Sequence, residues 1–273
     1  MNTVIYFRSD QSTKEELEIA REYFCVVEHR NAVPDGSKVL CRYSSLPYMK
    51  ELEEDLKLKN CTLVNTYSHH QFVADIQNWY EGDSSFCFKS DTFKTWFDVM
   101  HIPPEENGPF VIKGRTNSKK FKWDTHMFAA SREDVGQVIA NLMEDPLISE
   151  QGICIRKYEP LVTYETSING LPITHEFRVF AYKGEIISHG FYWSNFYEEL
   201  KQNHDLCLNK DALDLVKQIA WEVQFHIPFV CIDIAMATSG EWKVVELNDG
   251  TMAGLSTINP WNFYENLKNK LND

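Results

Sequence analysis

Basic residues are in short supply. The chain sets 27 Lys and Arg against 40 Asp and Glu, a formal net charge of −13 over 273 residues, so it cannot project the broad positive field that nonspecific attraction to nucleic acid or anionic lipid requires. A local basic pocket is still allowed. No apolar run approaches the ~20 residues of a membrane span, and Met1-Asn2-Thr3-Val4 has neither the basic start nor the apolar stretch of a secretory signal. A cytoplasmic protein without membrane contact is expected. Close cysteine pairs are missing too: Cys25, Cys41, Cys61, Cys87, Cys154, Cys207 and Cys231 lie too far apart in sequence for a zinc site or a redox dithiol, and most read as small buried apolar residues. The sequon Asn60-Cys61-Thr62 then carries little weight. The spacings Gly-x-Ser-x-Gly, Gly-x-Gly-x-x-Gly and His-Glu-x-x-His are also lacking, which removes support for a serine hydrolase, a dinucleotide enzyme or a zinc hydrolase. His69-His70 falls in an expected helix where neighbours face different ways, and reads as a core or surface pair.

What is present is an alternation of short β-branched runs with amphipathic stretches. Val4-Ile5-Tyr6-Phe7, Phe24 to Val27, Val39 to Tyr43 and Thr62 to Val64 read as strands. Helices are expected over Lys14 to Tyr23, Tyr48 to Leu58 and Ser68 to Tyr80, the second supported by Lys50/Glu54 and Glu53/Lys57 spaced four apart. These make a small α/β unit with a mostly parallel sheet. Between Glu81 and Gly108 the pattern loosens, with Gly82-Asp83-Ser84-Ser85 and Pro103 to Gly108 as loops, and the domain junction is placed there. Beyond it the expected strands are Phe110 to Lys113, Ile153 to Tyr158, Glu176 to Tyr182, Glu185 to His189, Phe229 to Ile234 and Trp242 to Leu247, with Lys183-Gly184 as a turn. Two helices interrupt them, one after Ser131, whose hydroxyl can cap it, and one from about Asp211 to Phe225. The second half is α+β.

Four segments carry chemistry. In Val244-Val245-Glu246-Leu247-Asn248-Asp249-Gly250, strand alternation sends Glu246 and Asn248 to one face and Val245 and Leu247 to the other. With Asp233 on a partner strand these make a hard oxygen site suited to Mg2+; the other reading is a polar strand end entering a turn. Lys113, at the end of an apolar strand, is followed by Arg115, Lys119 and Lys120, a loop that either wraps phosphate oxygens or is simply solvated. Glu176 and Arg178 share a strand face, where Arg178 either neutralises a transferring phosphoryl group or makes a cross-strand ion pair with Glu176 or another acid. Arg156-Lys157-Tyr158-Glu159-Pro160 ends a strand at a stiff bend that can meet an adenine edge.

The order of these segments, with Trp123, Phe191-Tyr192-Trp193-Ser194 and Gly254-Leu255-Ser256, resembles the ATP-grasp superfamily, and within it a bacterial and phage group. A more distant similarity reaches eukaryotic cell-division-cycle proteins that assist assembly of a translation initiation factor. The resemblance implies a mixed α/β and α+β chain: residues 1–85 as a small Rossmann-like pre-ATP-grasp domain, residues 86–273 as an ATP-grasp domain whose two subdomains sandwich ATP. It further implies that Lys113 holds the α/β-phosphates, that the backbone around Lys157 and Tyr158 pairs with adenine, that Arg178 meets the terminal phosphates, and that Asp233, Glu246 and Asn248 ligate Mg2+. Where many members have a glycine-rich loop, this chain offers Arg115, Lys119 and Lys120. The family's earlier nucleotide lysine falls to Lys89 rather than Lys94.

The implied activity is ATP-dependent carboxylate–amine ligation through an acyl phosphate, with a carboxylate and an amine acceptor as further substrates. The alternative is an ATP-binding assembly factor or chaperone that contacts a protein through Tyr192, Trp193 and Phe196.

Overall fold

The computed structural model describes residues 3–11, 13–79, 86–93 and 107–272. The first stretch forms β1 (Thr3–Phe7), α1 (Lys14–Tyr23), β2 (Cys25–Val27), β3 (Lys38–Arg42), α2 (Met49–Leu58), β4 (Thr62–Leu63), α3 (Tyr67–Ala74) and α4 (Ile76–Trp79). The four strands pair in the order β2-β1-β3-β4, all parallel. That agrees with the β-branched runs, because a parallel sheet buried on both faces needs continuous apolar strands. Indeed Val4, Ile5, Tyr6 and Phe7 are all buried. One helix was expected over Ser68 to Tyr80, but two are found. The break is at Asp75, whose carboxylate accepts the Gln77 N–H at 3.0 Å and starts a new helix.

The middle of the chain supplies β5 (Ser90–Phe93), β6 (Phe110–Gly114), α5 (Trp123–His126), β7 (Phe128–Ala129), α6 (Val135–Leu142), α7 (Pro146–Gln151), β8 (Ile153–Lys157), β9 (Thr163–Thr166) and β10 (Pro172–Thr174). Strand β5 lies in the stretch read as the domain junction, where no strand was expected, and it forms the edge of the sheet β5-β8-β6-β7. Ser90-Asp91-Thr92-Phe93 carries one large apolar side chain, so nothing but its pairing with β8 marks it as a strand. The expected loop Gly82 to Ser85 and most of Pro103 to Gly108, like Lys94, lie outside the described residues. Helix α6 begins four residues after Ser131. There the Ser131 hydroxyl donates to the Asp134 carboxylate at 2.9 Å and does not cap the helix, because the helix starts at Val135 and puts Asp134, not Ser131, at its N-cap position.

The last stretch adds β11 (Glu176–Tyr182), β12 (Glu185–Phe191), α8 (Ser194–Leu200), α9 (Lys210–Val223), β13 (Phe229–Met236), β14 (Trp242–Asp249) and α10 (Pro260–Asn272). Their sheet runs β12-β11-β13-β14. The β11–β12 hairpin turns at Lys183-Gly184, both left-handed (φ 47° and 81°), as a tight two-residue turn requires.

Two compact units result: residues 1–73, 177–233 and 247–273, and residues 74–176 and 234–246. In the first, Ile5, Leu40, Phe180, Phe229 and Phe263 pack into one core, and Asn65 ties its strands together. The Asn65 amide donates to Phe229 O and to Asp249 Oδ1, both at 2.7 Å, while its oxygen accepts the Phe229 N–H at 3.1 Å. In the second, Phe110, Ile112, Ile153 and Ile155 bury one face of β6 and β8 with α6.

Asn65→Ala would leave the Asp249 carboxylate and a buried peptide group each short of a partner. We expect a loss of roughly 2–4 kcal/mol in urea denaturation, against under 1 kcal/mol for the exposed Lys217→Ala.

Candidate functional site

The residues singled out by the sequence fall into two clusters, one in each unit. In the unit containing residues 74–176, Lys113 pairs in register with Cys154, and Val111 with Arg156. Paired residues share a sheet face, so Lys113 and Arg156 emerge opposite the face that carries Ile112 and Ile155. Lys113 Nζ sits 3.4 Å from Glu246 Oε2, and Lys120 Nζ lies 4.0 Å from Glu246 Oε1. The Lys113 side chain is only 12% exposed. Burial lowers its pKa below the ordinary 10.5; Glu246 pulls it back up in part, while Arg156 and Lys120 add to the depression.

The other cations of the loop are engaged elsewhere. Arg115 forks onto Asp75, and Lys119 pairs with Asp145, which also caps α7 through the Leu147 and Ile148 N–H groups. A Cβ at Gly114 would collide with Asn117 Oδ1, so a larger residue there would displace the asparagine side chain. Arg156 is buried, donating to Ser90 Oγ and Val245 O, both at 3.2 Å, with its guanidinium 4.8 Å from the Phe88 ring centroid. At the bend, the Lys157 and Tyr158 N–H groups donate to Lys89 O and Pro109 O, each at 2.9 Å. Tyr158 packs edge-on to Phe128, which stacks on Trp123. The Glu159 carboxylate lies 3.7 Å from Lys243, and the Lys89 side chain is exposed. Glu176 is buried and accepts the Thr174 hydroxyl at 3.0 Å.

In the other unit, Arg178 spans Asp233: Nε to Oδ1 at 2.9 Å and Nη2 to Oδ2 at 2.8 Å. Its Nη1 donates to Gly254 O at 2.9 Å, and its plane lies 4.8 Å from the Tyr192 ring centroid. Asn248 donates to Asp233 Oδ2 at 3.2 Å. Asp233 has no exposure at all. The cross-strand ion pair that the sequence allowed for Arg178 is thus made, with Asp233 as the acid. Tyr192 and Trp193 are half-buried and pack on each other.

Asp249, read as part of a turn, is a site the sequence reasoning missed. It ends β14 buried, with Oδ1 taking Asn65, the Thr251 N–H and the Thr251 hydroxyl, while Oδ2 faces His70 Nδ1 at 3.5 Å. An Asn-Asp-Gly run hides this, because the same letters serve a solvated turn.

Glu246, Asn248 and Asp233 are hard oxygen donors of the kind Mg2+ prefers, but both Asp233 oxygens are held by Arg178. Among the described residues no three His, Cys, Asp or Glu side chains gather as a ligand set. The fit is to an ion that takes one or two protein oxygens and completes its shell with phosphate and water.

Residues 100–267 match the model of an ATP-grasp domain family, the third family of its clade. The chain belongs to this family. No curated protein matches it significantly. Among solved structures it is similar to the D-cycloserine synthetase DcsG (TM-score 0.64, 11% identity, covering 98% of this chain and 99% of that one). The ATP-grasp ligase PsnB, solved with a precursor peptide and AMPPNP, gives a TM-score of 0.58 at 11% identity, covering 99% and 98%. D-alanyl-alanine synthetase A from Vibrio cholerae gives 0.56 at 13%, covering 97% and 93%. The expected ATP-grasp fold is therefore the fold of this chain. No helix among the described residues is long and apolar enough to cross a membrane.

The depressed pKa of Lys113 has a thermodynamic sign. Between its folded pKa and the unfolded 10.5 the unfolded chain binds more protons, so the folded state gains stability as pH rises through that window. Lys113→Met should therefore be at least as stable as the wild type near neutral pH and should lack that alkaline gain, while Mg–ATP binding weakens roughly 100-fold. Urea denaturation across pH, with calorimetry, checks both.

Proposed function

We propose that this chain is an ATP-dependent carboxylate–amine ligase. A substrate carboxylate oxygen attacks the γ-phosphorus, the bond to the β-phosphate oxygen breaks, and ADP leaves. The amine nitrogen then attacks the acyl carbon of the acyl phosphate, expelling phosphate and leaving an amide. The observation that carries this reading is the buried Lys113, set with Lys120 against Glu246 in a chain of the ATP-grasp family. A lysine whose charge burial opposes gains from phosphate oxygens placed beside it, which makes it a strong phosphate ligand.

The roles follow from charge. Lys113 and Lys120 would face the α/β-phosphates, with Arg115 and Lys119, now on Asp75 and Asp145, available once those pairs open. Lys89, Arg156, Lys157, Tyr158 and Glu159 would frame the base, with the aromatic rings of Phe128 and Tyr158 as a wall. Arg178, already aimed by Asp233 and Gly254 O, would meet the terminal phosphoryl group, with Glu176 on the same strand. Glu246 and Asn248, with Asp233 if Arg178 releases it, would hold Mg2+, which would offset triphosphate charge so that an anionic carboxylate can approach. No side-chain nucleophile is needed, because positioning and charge compensation suffice for phosphoryl transfer. Residues 1–85 and 86–273 would serve as the pre-ATP-grasp and ATP-grasp portions of a cytoplasmic enzyme.

Incubation with Mg–ATP and pooled amino acids and peptides, followed by mass spectrometry, should reveal ADP and a condensed product. Arg178→Lys, which keeps the charge but loses the fork on Asp233, and Asp233→Asn should each lower substrate-dependent ADP release by about 100-fold or more while the protein stays folded. Undiminished release by both variants would refute the assignment.

A further inference from the structure

Outside these clusters, a cavity of about 530 Å3 opens at the end of the parallel sheet and is lined by Tyr6, Arg8, Ser9, Glu28, His29, Arg30 and Asn31. Arg8 and Ser9 directly follow β1, and residues 28–31 directly follow β2, so the cavity sits at the carboxyl ends of two parallel strands. In the order β2-β1-β3-β4 the chain reverses between β1 and β3, next to the β1/β2 gap that the cavity occupies, and Tyr43, the residue after β3, packs on Arg8. Open α/β sheets bind small ligands outside the carboxyl ends of their strands.

Part of the donor capacity there is open. In a chain with 13 more acids than bases, no carboxylate among the described residues pairs with Arg8. Its Nε and Nη2 donate to the Tyr6 hydroxyl at 3.1 and 2.9 Å, and its plane lies 4.7 Å from the Tyr43 ring centroid, which fixes its orientation. Two of five guanidinium N–H groups are used in this way, leaving the Nη1/Nη2 end, the edge that a carboxylate meets with both oxygens. The exposed side chains of Ser9, His29 and Asn31 have no hydrogen-bond partner among the described residues, while of the other lining residues Glu28 is paired with Arg21 and Arg30 with Asp55.

One run of contacts connects this edge to Arg178. Phe7 pairs with Arg42, whose Nη1 donates to Gly250 O and Ala253 O at 2.9 and 3.0 Å, and the next carbonyl, Gly254 O, holds Arg178.

We propose that this cavity binds a carboxylate of a small dicarboxylic acid, with Arg8 as the bidentate partner and His29 and Asn31 as flanking donors. Resting on the ligase reading, the bound carboxylate is the anchor of the acid substrate, and its second carboxylate is the one phosphorylated.

Calorimetric titration of the whole chain with succinate, acetate and inorganic phosphate tests this. Succinate should bind saturably and more tightly than acetate or phosphate; Arg8→Gln should weaken it at least about tenfold, and Asn31→Asp, which places a negative charge in the cavity without touching the Arg8 stack, should do the same. Lys217→Gln, distant on α9, should titrate as the wild type. No saturable succinate binding up to about 20 mM, equal binding by Arg8→Gln and the wild type, or phosphate binding as tight as succinate would each overturn the assignment. Mg–ATP is titrated into the same samples and should bind wild type and Arg8→Gln alike. Succinate binding without Mg–ATP binding would sink the ligase reading and leave the cavity standing, and the reverse would sink the cavity alone.

Discussion

The Asp233 carboxylate is fully buried, and Arg178 reaches across from the neighbouring strand and covers both of its oxygens. Burying either charge alone would cost several kcal/mol, and even the pair gains little over an apolar pair of similar shape. Such an arrangement is a poor way to stabilise a fold. Its value lies in orientation: with Nε and Nη2 on Asp233, Nη1 on Gly254 O and a tyrosine ring beneath, the guanidinium has one position. The same logic governs Lys113, where burial opposes the charge and Glu246 sustains it. In both places a largely buried cation has a carboxylate as its partner, and on the proposed reading an anionic phosphate would gain from such a fixed positive group.

Architecture was legible wherever a local pattern decides it. Glu176 to Tyr182 forms a strand with those ends, the parallel order of the first four strands follows from their unbroken apolar runs, and Lys183-Gly184 turns as its letters suggest. Strand β5 was invisible because its four residues hold a place in a sheet through backbone pairing alone. The break at Asp75 was equally hidden: its carboxylate serves the Gln77 N–H and Arg115, forty positions later, at once, and no local window contains that second partner.

The same limit applies to the site. Alternation and residue type were enough to pick Lys113, Arg178, Asp233, Glu246 and Asn248 as candidates. They did not say which of the basic residues after Lys113 would be drawn into other pairs. Arg115 and Lys119 are claimed by Asp75 and Asp145, while Lys120 lies near Glu246. Acids outnumber bases so heavily that the default fate of a loop cation is capture, and the exceptions, Arg8 above all, are the informative ones. Asp249 makes the converse point: as sequence it is a turn residue, yet its partners Asn65, His70 and Thr251 make it a buried junction.

If phosphate oxygens are to replace Glu246 beside Lys113 and Lys120, that carboxylate must either turn to a metal ion or repel the nucleotide. Comparing ATP affinity with and without Mg2+ in the wild type and in Glu246→Gln is therefore the most direct test. The account predicts that the wild type needs Mg2+ for tight binding, whereas Glu246→Gln binds metal-free ATP at least about tenfold more tightly than the wild type does and gains little from the metal. Wild-type protein that ignores Mg2+, or a variant whose metal-free affinity is unchanged, would contradict it.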